Sequence, residues 1–361
     1  MLDDRCLPSV YEEIVHRAMK SNHPLDVIWE LTHRCNLRCR HCYITDFDRP
    51  ELDTETCRGI LEQLAEAGVL WLTVTGGEPF MRSDLFDLLG YARDLKFAVT
   101  LFTNGTLIDS AAAERLSDLK LSGVEVSIYG ASPAVNDPFT GVDGSFRRSI
   151  SAVEHLLRFG VPVTLKTCIV RSNFNDYSNI EALAAELGVR LRSTSYLAPR
   201  NDGDTTRIDA CRLTDEQVAD ALRDDGAAGI VPDLVGEGLV PDRLDRVIPC
   251  GAGHVSCGIT PDGSVLPCLQ FVNGGEDLSR RDFLSIWNES ELFERVREVR
   301  LSDVEPCNRC PGLKYCFRCP GIALIEDGDL LGPSRESCRI TRILMGILGD
   351  EAQIPPPRDT N

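Results

Sequence analysis

The sequence predicts an α/β protein: a partial (β/α)6 TIM-like barrel followed by a small, loop-rich domain dense in cysteine. Three observations carry this. Between about Asp26 and Leu197, six short β-rich runs alternate with longer amphipathic ones, the pattern of a parallel sheet. The polar motifs of that region fall directly after strand candidates, where such barrels keep their chemistry. From Cys250 to Cys338 eight cysteines replace the alternation, and a region of that size with so little periodicity is usually organised by metal.

Residues 1–25 form an N-terminal segment and 26–223 the core. The strand candidates are DVIWELT (26–32), LWLTVT (70–75), AVTLFT (98–103), VEVSIY (124–129), PVTLKTCIV (162–170) and VRLRSTSYL (189–197). Helical patterns lie near 53–67, 83–94, 109–119, 145–159 and 174–187, most opened by Asp, Ser or Asn and several closed by Gly. After a further helical stretch near 214–223, residues 224–247 read as a linker, beginning with the Gly-, Asp- and Pro-rich DDGAAGIVPDLVGEG. Residues 248–345 make the cysteine-dense domain, and 346–361 a disordered tail.

At 361 residues and 43% hydrophobic content, the chain has length for about two domains and material for a sizeable core. Lysine and arginine number 38 against 56 acids, a net charge of -18. That balance excludes duplex DNA and anionic membranes held by phosphate contacts, and suits a basic peptide or a small molecule. The N-terminus carries acids where a secretory signal needs a positive start, and no run reaches ~18 apolar residues. A cytoplasmic protein is expected. There, fifteen cysteines, an odd count, point to metal ligation or redox chemistry rather than disulfides.

The stretch THRCNLRCRHCY follows the first strand and places Cys35, Cys39 and Cys42 with gaps of three and two. A structural zinc site takes four protein ligands. A [4Fe–4S] cluster needs one ligand per iron, so three thiolates leave one iron open to a substrate, as catalytic metals keep an exchangeable position. Zinc with His33 or His41 as fourth ligand is the alternative. His41 adjoins Cys42, which makes that geometry awkward, and both histidines read as packing or hydrogen-bonding residues.

This loop resembles that of the radical S-adenosylmethionine (SAM) enzymes, Cys-x3-Cys-x2-Cys followed by an aromatic residue, here Tyr43. The resemblance covers the six-repeat region. It implies that the open iron is chelated by SAM, whose reductive cleavage yields a 5′-deoxyadenosyl radical that removes a hydrogen atom from the substrate. Gly76-Gly77-Glu78-Pro79 ends the second strand; glycines allow close approach to the backbone, and the Glu78 carboxylate suits an ammonium group, the role of this motif in the family. Asn104, in TNGT, lies where relatives contact the methionine end, although an Asn-Gly turn explains it equally well. Ser127 matches the family's ribose contact, but Tyr129 stands where an acid is frequent. Lys166 and Arg171 are candidates for a carboxylate, or ordinary solvated cations. Tyr129, Asp137 and Tyr196 lie on rim segments and read as structural.

In the second domain, Cys250-x6-Cys257-x10-Cys268 precedes Cys307-x2-Cys310-x5-Cys316-x2-Cys319 and then Cys338. Eight cysteines can ligate two [4Fe–4S] clusters, while paired Cys-x2-Cys units also describe zinc ribbons. The pattern resembles the SPASM extension of radical SAM enzymes, with Gly263 in place and Cys319 one residue early. That resemblance implies two auxiliary clusters: Cys250, Cys257, Cys268 and Cys319 around one, and Cys307, Cys310, Cys316 and Cys338 around the other. Cys6, Cys57, Cys168 and Cys211 fit no spacing and read as buried or incidental thiols.

SPASM proteins mostly modify peptides or proteins. The sulfatase-modifying type carries an acid directly after the cysteine corresponding to Cys268; here Leu269 stands there, which disfavours that branch. The expectation is a maturase of a ribosomally synthesised peptide or peptide-derived cofactor precursor, of the PqqE and sactisynthase-like group. An auxiliary cluster would accept the electron left by oxidative bond formation, and a flavodoxin- or ferredoxin-type donor would supply the reductant. Only 34 residues precede Cys35, too few for a winged-helix leader-binding module, so a separate PqqD-like recognition protein is expected. Tetrapyrrole tailoring, as in the haem-pathway decarboxylases, is the alternative enzyme. A zinc-stabilised binding protein is the non-catalytic one.

Overall fold

The computed structural model describes residues 10–223 and 250–350. Among them, nine strands form a single sheet: β1 (Asp26–Thr32), β2 (Trp71–Gly76), β3 (Ala98–Thr103), β4 (Gly123–Ser127), β5 (Val163–Cys168), β6 (Arg190–Thr194), β7 (Ser256–Ile259), β8 (Ser264–Leu266) and β9 (Glu276–Asp277). Their order is β6-β5-β4-β3-β2-β1-β7-β8-β9. All pairings from β6 through β7 are parallel. Only the β7–β8 and β8–β9 pairings are antiparallel.

The helices Thr54–Glu66, Leu85–Asp94, Ser110–Leu119, Ser145–Arg158 and Tyr177–Glu186 complete the expected repeats, with ends shifted by a few residues as fraying produces. Their starts have a local cause. Asp53 and Asp109 accept hydrogen bonds from the backbone of Thr56 and Ala112, satisfying donors that a helix N-terminus leaves open. Cys57, Ile60, Leu61 and Leu64 fall on one face of the first of these helices and are all buried. They pack with Val27, Trp29 and Leu31 of β1, Val99 and Leu101 of β3 and Val124 and Val126 of β4 into one core. Strand residues of the alternate set, Ile28 and Phe102 among them, face a cavity on the other side of the sheet.

The second domain is joined to the first more closely than a linker implies. β7 pairs in parallel with β1, placing Cys257 beside Val27 and Ile259 beside Trp29. The barrel sheet therefore continues into the C-terminal unit. That unit also carries helices at Phe283–Glu289, Glu291–Glu298, Pro320–Asp327 and Arg335–Ile347, more regular structure than its cysteine spacing leads one to expect. A helix at Val10–Ser21 lies within the N-terminal segment, another at Pro133–Thr140 follows β4, and β6 stops at Thr194. The last helix runs to Ile347, past the expected start of the tail at 346. The linker 224–247 and the tail from 351 lie outside the described residues.

Asp26 opens β1, the strand at the junction of the two units, and burial pushes its carboxyl up to about 6. The unfolded chain titrates near 4. The folded value is the higher one, so the native state loses stability as pH rises from about 4 through about 6. Asp26→Asn removes that loss. Its unfolding free energy from urea titration should exceed that of the wild type at pH 8 by up to about 3 kcal/mol, and the gap should shrink towards pH 5.

Candidate active site

The cysteine loop is held at both ends by backbone. On one side the N–H of Gly77 donates to the carbonyl of Thr32 at 2.7 Å and that of Glu78 to Arg34 at 2.8 Å. A Cβ on Gly76 would overlap the Thr32 carbonyl, and one on Gly77 the carbonyls of His33 and Arg34. The glycines are therefore demanded by the approach of the chain to itself, in addition to any ligand. On the other side Arg38 and Arg40 donate their N–H groups to Thr140 (2.9 Å) and Phe139 (3.1 Å), at the end of the helix Pro133–Thr140.

Glu78 is fully buried. Its carboxylate accepts from the Thr103 hydroxyl (2.8 and 3.0 Å), the Asn104 N–H (2.7 Å) and the Phe80 N–H (3.1 Å). Burial pushes its carboxyl up to about 7, against the pull of those donors. Neither Glu78 nor Pro79 reaches the cavity wall, whereas Gly76 and Gly77 do. The side chain expected to meet an ammonium group instead fixes the end of β3. There Asn104 donates to the side chain of Asn36 at 2.9 Å and comes within 3.9 Å of the Cys35 sulfur. Its carbonyl oxygen also accepts from the N–H (2.9 Å) and hydroxyl (2.6 Å) of Thr106.

A second buried carboxylate, Glu30, went unremarked in the sequence. It accepts from the Tyr43 hydroxyl and lies 3.1 Å from His33 Nε2, while His33 Nδ1 lies 3.1 Å from the Asp46 carbonyl. Both ring nitrogens of His33 are thus engaged. His41 packs its ring against Tyr129 and Phe139, with centroids 4.8 and 5.1 Å away, and burial lowers its pKa to about 4.

The cavity measures about 340 Å³ and is walled by Cys35, Cys39 and Cys42 with Tyr43, Gly76, Gly77, Asn104, Ser127, Lys166, Cys168 and Leu269. That volume is within the range of small-molecule sites. Ser127 lies near the phenol of Tyr129, whose pKa burial raises well above the usual value. The Lys166 ammonium sits 3.4 Å from Glu125 and 3.5 Å above the Phe102 ring. Arg171 points elsewhere, into a second cavity with Arg38, Arg40 and Arg207. Cys168, which fits no spacing, belongs to the wall, and so does Leu269, which brings the C-terminal unit to the same site.

The three loop cysteines fit an iron–sulfur site in their chemistry. Burial raises the pKa of Cys39, and the neighbouring thiols of Cys42, Cys35 and Cys168 raise it further; burial pushes Cys42 up to about 11, with Cys35 adding to the rise. Thiolates that repel one another so closely are what a cationic metal site relieves. The eight cysteines of the C-terminal unit gather in two groups. Beyond the effect of burial, Cys268 responds to Cys319 and Cys250, and Cys257 to Cys268. Cys316 and Cys338 each respond to both Cys307 and Cys310. Among the described residues, no three His, Cys, Asp or Glu side chains close on a point that fits a single ion.

A β/α sheet with three thiols on the rim after its first strand, joined to a cysteine-rich unit, defines a class, and comparison with known proteins identifies it. The family model of the radical SAM superfamily matches residues 29–187, and that of the SPASM iron–sulfur cluster-binding domain matches 250–311. The mycofactocin maturase MftC of Mycolicibacterium smegmatis is 33% identical over 87% of this chain and 82% of its own. The PqqA peptide cyclase of Gluconobacter oxydans is 32% identical over 80% and 82%. In fold, the crystal structure of Streptococcus suis SuiB bound to S-adenosylmethionine aligns with a TM-score of 0.70 at 21% identity, covering 89% of this chain and 80% of that one. This chain belongs to the radical SAM superfamily, in its SPASM-bearing branch. It is an iron–sulfur, SAM-dependent enzyme.

Gly77→Ala tests the backbone clasp. A displacement of about 1 Å at a reacting centre costs on the order of 100-fold in rate. We expect a loss of that size in 5′-deoxyadenosine formation from SAM, with far-UV circular dichroism unchanged.

Proposed function

We propose that this enzyme matures a ribosomally synthesised peptide or the peptide precursor of a cofactor. In this reading Cys35, Cys39 and Cys42 hold the cluster that binds SAM, and SAM lies against Gly76, Gly77, Asn104 and Ser127, with Tyr43 packed beneath. Cys250, Cys257, Cys268 and Cys319 hold one auxiliary cluster, and Cys307, Cys310, Cys316 and Cys338 the other; the two thiol groups described above support that division. Cluster and SAM together supply a 5′-deoxyadenosyl radical able to take a hydrogen atom from an unactivated carbon.

One observation carries the reading: Leu269 of the C-terminal unit and the three loop cysteines wall the same cavity. The auxiliary domain thereby shapes the substrate site, with an apolar side chain where the sulfatase-modifying type carries a base. The names of the relatives, a maturase and a peptide cyclase, agree. A cavity of about 340 Å³ admits a side chain rather than a leader sequence, so a separate PqqD-like protein presents the substrate. The electron donor is of flavodoxin or ferredoxin type. Arg38, Arg40, Arg171 and Arg207 surround the second cavity, which has Cys39 in its wall, and among the described residues no carboxylate pairs with them; they suit an acidic donor. No helix among the described residues is long and apolar enough to cross a membrane. Cysteines kept as free thiols for metal suit the reducing cytoplasm.

Anaerobic reconstitution should yield about twelve irons per chain, four for each cluster. Cys35→Ala should abolish 5′-deoxyadenosine formation, whereas Cys338→Ala should lose about four irons and keep SAM cleavage. A short peptide encoded beside this gene should change mass on incubation with the enzyme, SAM and reductant. A co-purifying Soret band would instead assign a tetrapyrrole substrate, and bound zinc without iron a binding protein.

A further inference from the structure

Arg318 lies between the two groups of C-terminal cysteines. It immediately precedes Cys319 of one group and stands two residues after Cys316 of the other. Its side chain is 8% exposed. The guanidinium donates from Nε to the Gly332 carbonyl at 2.7 Å and from Nη2 to the Leu330 carbonyl, while Nη1 is buried with no partner. No carboxylate among the described residues pairs with it. The groups able to answer its charge are Cys307 and Cys316 of one set, Cys319 of the other, and Tyr196.

The position is held firmly. The Ser337 hydroxyl donates to the Phe317 carbonyl at 2.7 Å, and the Tyr196 ring packs edge-on against Phe317 with centroids 4.8 Å apart. Tyr196 in turn hydrogen-bonds Ser337 at 2.9 Å. A buried cation without a counter-ion is strongly unfavourable. Here the nearest source of negative charge is the cysteines of both sets, as thiolates when they carry metal. A cluster bound by four thiolates is anionic, and net charge and hydrogen bonds to sulfur set its potential.

We propose that Arg318 is a positioning residue shared by both auxiliary clusters, its buried charge and free Nη1–H raising their reduction potentials so that they accept the electron released by substrate oxidation. This rests on the assignment of the eight cysteines to two clusters. The charge acts on both because the guanidinium neighbours thiols from each set. The thiols of the first loop, Cys35, Cys39 and Cys42, are not among the groups that act on it.

The test is an EPR-monitored redox titration of the fully reconstituted chain, with iron counted first, in wild type, Arg318→Lys and Arg318→Gln. Lysine keeps the charge; glutamine keeps a donor and loses it. At a fixed solution potential the reduced-to-oxidised ratio of both auxiliary clusters should fall about ten-fold in Arg318→Gln, a shift of ~59 mV for one electron. Arg318→Lys should stay near wild type, and the SAM-binding cluster should not move in either. Loss of auxiliary iron in the glutamine variant alone also supports the charge. Unchanged potentials in a fully loaded glutamine variant overturn the proposal. So does loss of iron in both variants, which reduces Arg318 to an anchor for Leu330 and Gly332. A wild-type chain that holds only about four irons overturns the cluster assignment itself, an outcome visible before any variant is made.

Discussion

The site depends on one backbone contact, the turn after β2 lying directly on the chain that leaves β1. Two hydrogen bonds, Gly77 to Thr32 and Glu78 to Arg34, make it. Each contributes only about 1 kcal/mol net, so their strength is not what matters. Sterics decide: the carbonyls of Thr32, His33 and Arg34 occupy the space that a Cβ at either glycine would need. Any side chain there pushes the cysteine loop off the rim. The same turn then carries Glu78 inward, where its buried carboxylate draws Thr103 and Asn104 into place, and Asn104 reaches back to Asn36 and Cys35. Three strand ends are thus locked to one loop by a chain of short contacts.

Buried charge serves the same end twice more. Glu30 ties Tyr43 and His33 beneath the loop, and Glu125 sits between Lys166 and Arg192 at the far side of the cavity. Removing one partner from such a cluster leaves a carboxylate stranded in low dielectric, a larger loss than any one bond. These networks therefore specify geometry more than they add stability. A site that must place a reactive carbon radical within reach of one hydrogen has most need of geometry.

The six barrel strands, the five helices between them and the cysteine loop were legible in the sequence because their signals are local: period-two runs, capping aspartates and a tight cysteine spacing. What escaped was tertiary. GGEP was placed correctly on the rim, but the partners of Glu78 lie on β3, about 25 residues on, and nothing within the motif announces them. The segment PAVNDPFT, with Pro138 inside it, lies outside every helical pattern read from the sequence, yet it forms a helix whose terminal carbonyls receive Arg38 and Arg40. Carbonyl contacts leave no trace in residue type. β7 is four residues long and contains a glycine, and its partner β1 lies some 230 residues earlier. Cys168 looks ordinary in sequence and acquires meaning only from the cavity it walls.

The β1–β7 pairing has a consequence for electron flow. Because β7 extends the barrel sheet, the strand bearing Cys257 is hydrogen-bonded to the strand that launches the three-cysteine loop. The two cysteine regions are therefore one mechanical body, and their separation is set by strand spacing rather than by a linker. In the proposed reading, an electron passing outward from the substrate meets a fixed distance at every turnover. Loading and order are also coupled: burial holds the C-terminal thiols neutral until metal displaces their protons, and until then Arg318 lacks an anion. The clusters supply charge that the polypeptide leaves unbalanced, so the C-terminal unit reaches its full stability only as an iron–sulfur protein.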